Sequence, residues 1–161
     1  MSISAKKISP CLWFDNRIEE AVNFYVSLFG GKILDTSTYN DAGPMPKGTV
    51  LTMTFTLHDE EFMALNGGPQ FQFTEAVSFL VKCKDQAEVD KYWNALTADG
   101  GQESQCGWLK DKYGLSWQIA PETLLNYVTG KDAERAKRVM QAMFTMKKID
   151  VAAIEKAAGA A

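Results

Sequence analysis

Two stretches of this chain carry the same signals in the same order, and that repetition narrows the available folds more than any other feature. From Ile8 to Phe14 the pattern has period two, with Ile8, Pro10, Leu12 and Phe14 directed one way and Ser9, Cys11 and Trp13 the other. Asn16 stands where a helix N-cap would accept from the amide of Glu19. Ile18, Ala21, Val22, Phe24, Tyr25, Leu28 and Phe29 then recur at helical spacing, and Gly30-Gly31 ends the run before a strand at 32–39. Residues 76–83 begin the sequence of events again. Asp85 is the cap with Glu88 three residues on, Val89, Tyr92, Trp93 and Leu96 form the stripe, and Gly100-Gly101 is the stop. Caps and glycine pairs recur at an offset of 69 to 70 residues. A capped amphipathic helix is common; the whole series at nearly one offset argues for two related modules.

Between these landmarks the chain reads as strands and turns. The stretch 40–48 (NDAGPMPKG) is rich in turn formers, and a solvated loop outweighs a lid there. Over 50–57, Leu51, Met53, Phe55 and Leu57 alternate with Thr52, Thr54 and Thr56, giving one apolar face and one of hydroxyls. Residues 58–61 (HDEE) turn the chain into Phe62–Asn66, and a linker follows from Pro69 to Glu75. The second module passes through GQESQCGWLKD to a turn at Asp111–Gly114 and a last strand, Leu115–Ala120, in which Leu115, Trp117 and Ile119 oppose Ser116, Gln118 and Ala120. Beyond Pro121 the pattern is helical, in segments around Leu124–Val128, Asp132–Lys148 and Asp150–Ala157. Met140, Met143 and Met146 on the second segment read as packing or a subunit contact ahead of an adaptable binding surface.

Composition excludes several classes of function. A formal net charge of −3 with a pI near 5.2 lacks the clustered Lys and Arg of a nucleic-acid or anionic-membrane surface. No apolar run approaches the roughly 18 residues that span a bilayer. MSISAKKISP has two lysines without an apolar core behind them, so a secretory signal is not expected. Cys11, Cys83 and Cys106 are odd in number and widely spaced, which suits reduced thiols in a cytoplasmic protein.

Two tandem βαβββ modules resemble the vicinal oxygen chelate superfamily (glyoxalase I, extradiol dioxygenases, antibiotic-resistance proteins). The sequence is most similar to its PhnB-like branch, often labelled 3-demethylubiquinone-9 3-methyltransferase. The likeness is carried by LWFDNRIEEAVNFYVSLFGGKI, by CGWLKDKYGLSWQI at 106–119 and by VMQAMFTMKKIDVAAIEKA at 139–157, the middle motif being the most specific. It implies an α+β, glyoxalase-like fold over residues 1–130, made of modules at about 5–68 and 75–121. Residues 131–161 would be a helical extension packing on that domain or on a partner subunit. In the superfamily each module curls its sheet into a half-barrel, with helices outside and a pocket inside, and subunits commonly pair, so a homodimer is expected.

Alternation aims apolar residues such as Leu12, Phe14, Phe55, Val77, Phe79, Val81 and Ile119 at the helices. The pocket is then expected to be lined by Ser9, Cys11, Trp13, Thr54, Asn66, Ser78, Cys106, Trp108 and Gln118. Matched strand by strand, the metal-ligand positions of the superfamily fall at about Ser9, Asn66 (or Ala64), Ala76 and Gln118. None bears an imidazole or a carboxylate, and neutral hydroxyl and amide oxygens compete poorly with water for a divalent ion. No metal and no other cofactor is therefore expected. His58, the single histidine, sits in a turn with Asp59 and Glu61, so no histidine is available to activate Cys11 or Cys106 and a Cys-His arrangement is excluded. Nor does a glycine-rich strand-to-helix turn of nucleotide-binding type support the methyltransferase label. Small-molecule binding without a metal is the leading expectation. A metal-dependent lyase or dioxygenase using His58 and a non-catalytic dimeric interaction protein are the alternatives.

Overall fold

The computed structural model describes residues 6–159, which divide between Gln72 and Phe73 into two compact units. In the first unit, β1 (Cys11–Phe14), α1 (Ile18–Phe29), β2 (Ile33–Thr38), β3 (Val50–Leu57) and β4 (Glu60–Asn66) form a four-stranded sheet in the order β1-β4-β3-β2. β1 runs parallel to β4, and the other neighbours are antiparallel. The second unit repeats this plan. β5 (Ser78–Cys83), α2 (Gln86–Thr97), β6 (Gln102–Glu103), β7 (Trp108–Lys110) and β8 (Ser116–Pro121) pair in the order β5-β8-β7-β6, with β5 parallel to β8. The repeated sequence signals thus correspond to two sheets of identical topology, and the α+β, glyoxalase-like architecture follows.

Each helix covers one face of its own sheet. On α1, Ile18, Ala21, Val22, Tyr25 and Phe29 are buried, and the helix lies on β3 and β4. Burial of side chains this large contributes roughly 1.5–3 kcal/mol each, which outweighs the modest helix propensity of the valines and aromatics. On α2 the buried set is Val89, Tyr92, Trp93 and Leu96, the stripe read from periodicity. Asp85 caps α2, its carboxylate accepting from the Glu88 amide at 2.9 Å, while Glu88 accepts from the Lys84 amide at 2.8 Å.

Four expectations about boundaries change. The strand expected from Ile8 begins only at Cys11, and Ile8 is 88% exposed. Pro10 has no amide for the ladder; its carbonyl accepts from Met63, and regular pairing starts after it. Asn16 does not cap α1. It adopts a positive φ of 58°, Arg17 occupies the cap position without a side-chain bond to the first-turn amides, and the Asn16 amide donates to Asn66 Oδ1. α2 ends at Thr97, and a single 3₁₀ turn (Ala98–Gly100) intervenes before the glycine stop. Val77, assigned to the helix side, precedes β5 and is exposed.

The C-terminal helices α3 (Glu122–Val128), α4 (Ala133–Met143) and α5 (Val151–Ala158) belong to the second unit. Leu124, Val139, Ile149, Ile154 and Ala158 form their core, with Met143 and Met146 packed against it, so these two methionines are packing groups. The helix read as far as Lys148 stops at Met143. Beyond it the chain turns, the Thr145 and Met146 amides donating to the Ala142 and Met143 carbonyls, and the Met146 and Lys147 carbonyls then accept from the Cys106 and Gly107 amides, each at 2.8 Å. Ile149, which follows, lies in the core. Gln86 on α2 fastens the same segment, donating to the Ile149 carbonyl and accepting from the Val151 amide.

Candidate functional site

Register fixes which side chains share the face that each sheet leaves uncovered by its helix. In the first unit Cys11 pairs with Met63 and Trp13 with Leu65, while Thr54 pairs with Met63 and Thr52 with Leu65. The uncovered face therefore carries Cys11, Trp13, Thr52, Thr54, Glu61, Met63 and Leu65. Ser9, just ahead of β1, donates to Glu61 Oε1 at 3.5 Å. Trp13 is committed to the chain that follows β4. Its indole N–H donates to the Gly68 carbonyl at 2.8 Å, and Phe71 meets the ring edge-on at 4.9 Å.

Asn66 departs from the expected lining. It pairs with Phe14, alongside Leu12–Ala64, and so lies on the helix-covered side, only 2% exposed. Its amide is spent on structure: Oδ1 accepts from Asn16, Nδ2 donates to the Val50 carbonyl, and the Asn66 carbonyl accepts from Tyr39 Oη at 2.6 Å. Tyr39 also closes the 40–48 loop by exchanging backbone bonds with Gly48 and Thr49. Glu61 is the residue that sequence reading overlooked here. Assigned to a turn, it is in fact the second residue of β4 and 9% exposed. The signal was the two-residue hairpin His58-Asp59, which brings Glu60 directly opposite Leu57.

In the second unit the uncovered face is more polar. Ser78 pairs with Ser116, Ser116 with Lys110, and Lys110 with Gln102, so one rung of four polar residues crosses all four strands. The adjacent rung holds Leu80, Gln118 and Trp108. Gln118 Nε2 donates to Ser78 Oγ at 2.9 Å, which ties the two rungs together. Ser78, Trp108 and Gln118 are thus brought together. Cys106 is not; it sits in the turn before β7 with φ 58°, its amide bonded to Met146. A cavity of about 150 Å³ opens beside the rung, walled by Glu75, Gln102, Glu103, Ser104, Trp108, Leu109, Lys110 and Ser116. Lys110 Nζ lies 2.5 Å from Glu75 Oε1, and that hydrogen bond, with the one from Glu75's own backbone, holds the Glu75 carboxyl below its ordinary range.

Metal-ligand chemistry does not fit these positions. Asn66 and Ala64 face the helix, and Ser9 and Gln118 are neutral, with Gln118 Nε2 donating to Ser78. Among the described residues no three His, Cys, Asp or Glu side chains gather where they could hold an ion, and His58 stands exposed in its hairpin turn.

Two of the three thiols are held back from ionising. Burial raises the Cys11 thiol, and burial followed by the charges of Glu88 and Asp85 pushes Cys83 up to about 12. Because the thiolate is the nucleophile, alkylation of the native protein at pH 8 is expected to spare Cys83 until unfolding and to modify Cys11 more slowly than a free thiol. Mass-spectrometric mapping of a timed iodoacetamide reaction reads both, and early labelling of Cys83 would contradict the assignment.

The family model described as 3-demethylubiquinone-9 3-methyltransferase matches residues 6–120. The chain belongs to this family. Among solved structures it is similar to a putative 3-demethylubiquinone-9 3-methyltransferase, a PhnB protein from Bacillus cereus, with 38% identity and a TM-score of 0.66 over 72% of this chain and 99% of that one. A protein of Pseudomonas aeruginosa shares the fold at 20% identity and TM-score 0.59, over 73% and 98% of the two chains. The fosfomycin resistance protein FosX of Mesorhizobium loti shares it at 14% identity and TM-score 0.51, over 84% and 100%. The PhnB protein and FosX are members of the vicinal oxygen chelate fold. No curated protein matches the sequence, and no helix of the described residues is long and apolar enough to cross a membrane.

Proposed function

We propose that this PhnB-like protein binds a small organic molecule on the uncovered faces of its half-barrel sheets, without the divalent metal that the superfamily commonly uses. The observation that carries the reading is the chemistry of the second sheet's uncovered face. Hydroxyl, amide, ammonium and indole groups (Ser78, Ser116, Gln118, Lys110, Trp108) share that face, Ser116, Lys110 and Trp108 of them lining a cavity, while among the described residues no set of metal ligands accompanies them. Cys11, Trp13 and Thr54 give the first sheet a similar mixed face. The family name refers to methyl transfer, yet Gly67-Gly68-Pro69 leads from β4 into an irregular linker and not into a helix. That arrangement offers no phosphate-binding turn for a nucleotide-like cofactor.

Two measurements test the reading together. Thermal shift across a divalent-metal series should show no tight stoichiometric stabilisation, and a panel of small metabolites should contain compounds that raise Tm in proportion to ln(1 + [L]/Kd). Stoichiometric metal in protein purified without chelator would overturn the metal-free half, and a panel without a single stabilising compound would overturn the other. A homodimer in the cytoplasm completes the proposal, supported by the exposed Leu80, Val77 and Phe144 and by three free cysteines. Light scattering reads the oligomeric state.

A further inference from the structure

Ser116 presents an anomaly that the fold alone does not resolve. The residue is 0% exposed, and among the described residues its Oγ is the buried side-chain oxygen or nitrogen without a hydrogen-bond partner. Buried hydroxyls are almost always satisfied, because an unmade bond forfeits hydration without recompense. Nothing local demands a serine here. Its β8 neighbours Leu115 and Trp117 are buried apolar residues, and an alanine would fill the same space without an orphaned oxygen. Ser116 is one of the residues lining the 150 Å³ cavity, which is large enough for several waters or one small organic group.

We infer that this cavity takes the carboxylate of a small organic monoanion, with Lys110 as its cation, the Ser116 hydroxyl as a hydrogen-bond donor and the Trp108 ring as the platform for the organic body. The inference rests on the small-molecule reading above and adds the class of ligand to it. Lys110 and Ser116 are register partners on neighbouring strands, so ammonium and hydroxyl stand on the same face at one level of the sheet. In this structure Lys110 is held by Glu75, whose side chain is 61% exposed and precedes β5 in the linker. An ion pair so open to water is weak, and a ligand carboxylate can replace one oxyanion with another at little cost. Glu75 therefore acts as a stand-in counterion for the ligand. The class follows from the other walls. Glu75 and Glu103 both border the cavity, so a dianionic phosphate would meet two carboxylates against a single wall cation. A neutral ligand would leave the Lys110–Glu75 pair in place and gain no charge partner. Trp108 and Leu109 supply apolar surface for a ring or short chain.

The test is titration of the intact chain with sodium benzoate, acetate, benzyl alcohol and inorganic phosphate, followed by calorimetry and by amide and indole shifts in nuclear magnetic resonance. Benzoate is expected to saturate, with the largest shifts at Trp108, Lys110 and Ser116. Lys110→Met should weaken it at least about tenfold. Ser116→Ala should weaken it about three- to tenfold without loss of Tm, since the hydroxyl has no partner to lose. Glu75→Gln, by releasing Lys110, should tighten it. Weaker binding to Glu75→Gln, or shifts centred elsewhere, overturns the site. Preference for phosphate, or equal binding of benzyl alcohol, overturns the monoanion class while leaving small-molecule binding intact. An ordered water on Ser116 in a crystal structure that benzoate does not displace overturns the inference as well. Absence of any ligand across the wider metabolite panel is the separate result that would remove the reading beneath it.

Discussion

Asp111→Ala is expected to destabilise the protein by about 3–5 kcal/mol, visible as an earlier midpoint in urea followed by tryptophan fluorescence. Asp111 is 2% exposed and sits at the start of the turn between β7 and β8. Oδ1 accepts from the amides of Tyr113 and Leu115 at 2.9 and 3.0 Å, and Oδ2 accepts from Trp117 Nε1 at 2.9 Å. Alanine would strand these donors, two of which are buried, and each unmade buried bond costs about 1–3 kcal/mol. Asp111→Asn separates the contributions. Its carbonyl can still serve the two amides, but its NH₂ must face the indole N–H, donor against donor. In a Trp117→Phe background that conflict disappears, so the asparagine should cost clearly less there than in the parent chain. Equal cost in both backgrounds would show that the Oδ2–indole bond contributes nothing measurable. Lys110 and Ser116 flank this turn on β7 and β8, so Asp111 also sets the spacing of the proposed anion site.

The role of Asp111 was readable in the sequence because an aspartate three residues before a glycine marks a tight turn. The two modules were readable for a similar reason: periodicity reports burial, and burial is what α1 and α2 supply to their sheets. Failures cluster where tertiary partners override local preference. Asn16 has a good capping side chain, but Asn66 claims its backbone amide and draws the residue into a turn of positive φ. The residues at 144–148 have helical composition, yet the Cys106 and Gly107 amides take the Met146 and Lys147 carbonyls as acceptors, and the chain leaves the helix in a turn.

The site was legible in part. Alternation is a local rule, so it placed Ser78, Gln118 and Thr54 on the uncovered faces. Asn66 was assigned from a strand-to-strand match and fell on the wrong side, because a one-residue difference in register reverses every side chain. Lys110 and Glu75 could not be joined from sequence, since the linker lies far from β7 along the chain and only the folded sheet brings them to 2.5 Å. The missing partner of Ser116 is equally invisible in one dimension. A serine alternating with Leu115 and Trp117 looks like any half-buried strand residue until its surroundings are known.

The adjacent glycines after α1 should behave very differently when substituted. Gly30 has φ 77° and ψ 138°, and a Cβ there meets nothing within 4 Å, so Gly30→Ala should cost only that positive-φ backbone conformation, about 1–3 kcal/mol. Gly31 has φ 154° as well as a backbone wall against it. A Cβ would lie 1.9 Å from the Thr56 carbonyl oxygen and 2.7 Å from its carbon. Backbone cannot step aside as a side-chain tip can, because Lys32 and Thr56 are fastened to each other there. Thr56 N donates to the Lys32 carbonyl at 2.9 Å, and Lys32 N donates to Thr56 Oγ1 at 3.2 Å. Relieving the clash means parting the β2–β3 ladder at its first rung, so Gly31→Ala should cost about 3 kcal/mol or more. Hydrogen exchange localises the damage: protection should fall along β2 and β3 in Gly31→Ala and survive there in Gly30→Ala. Similar losses from the two substitutions would mean that conformation alone, and not the approach of Thr56, requires glycine at position 31.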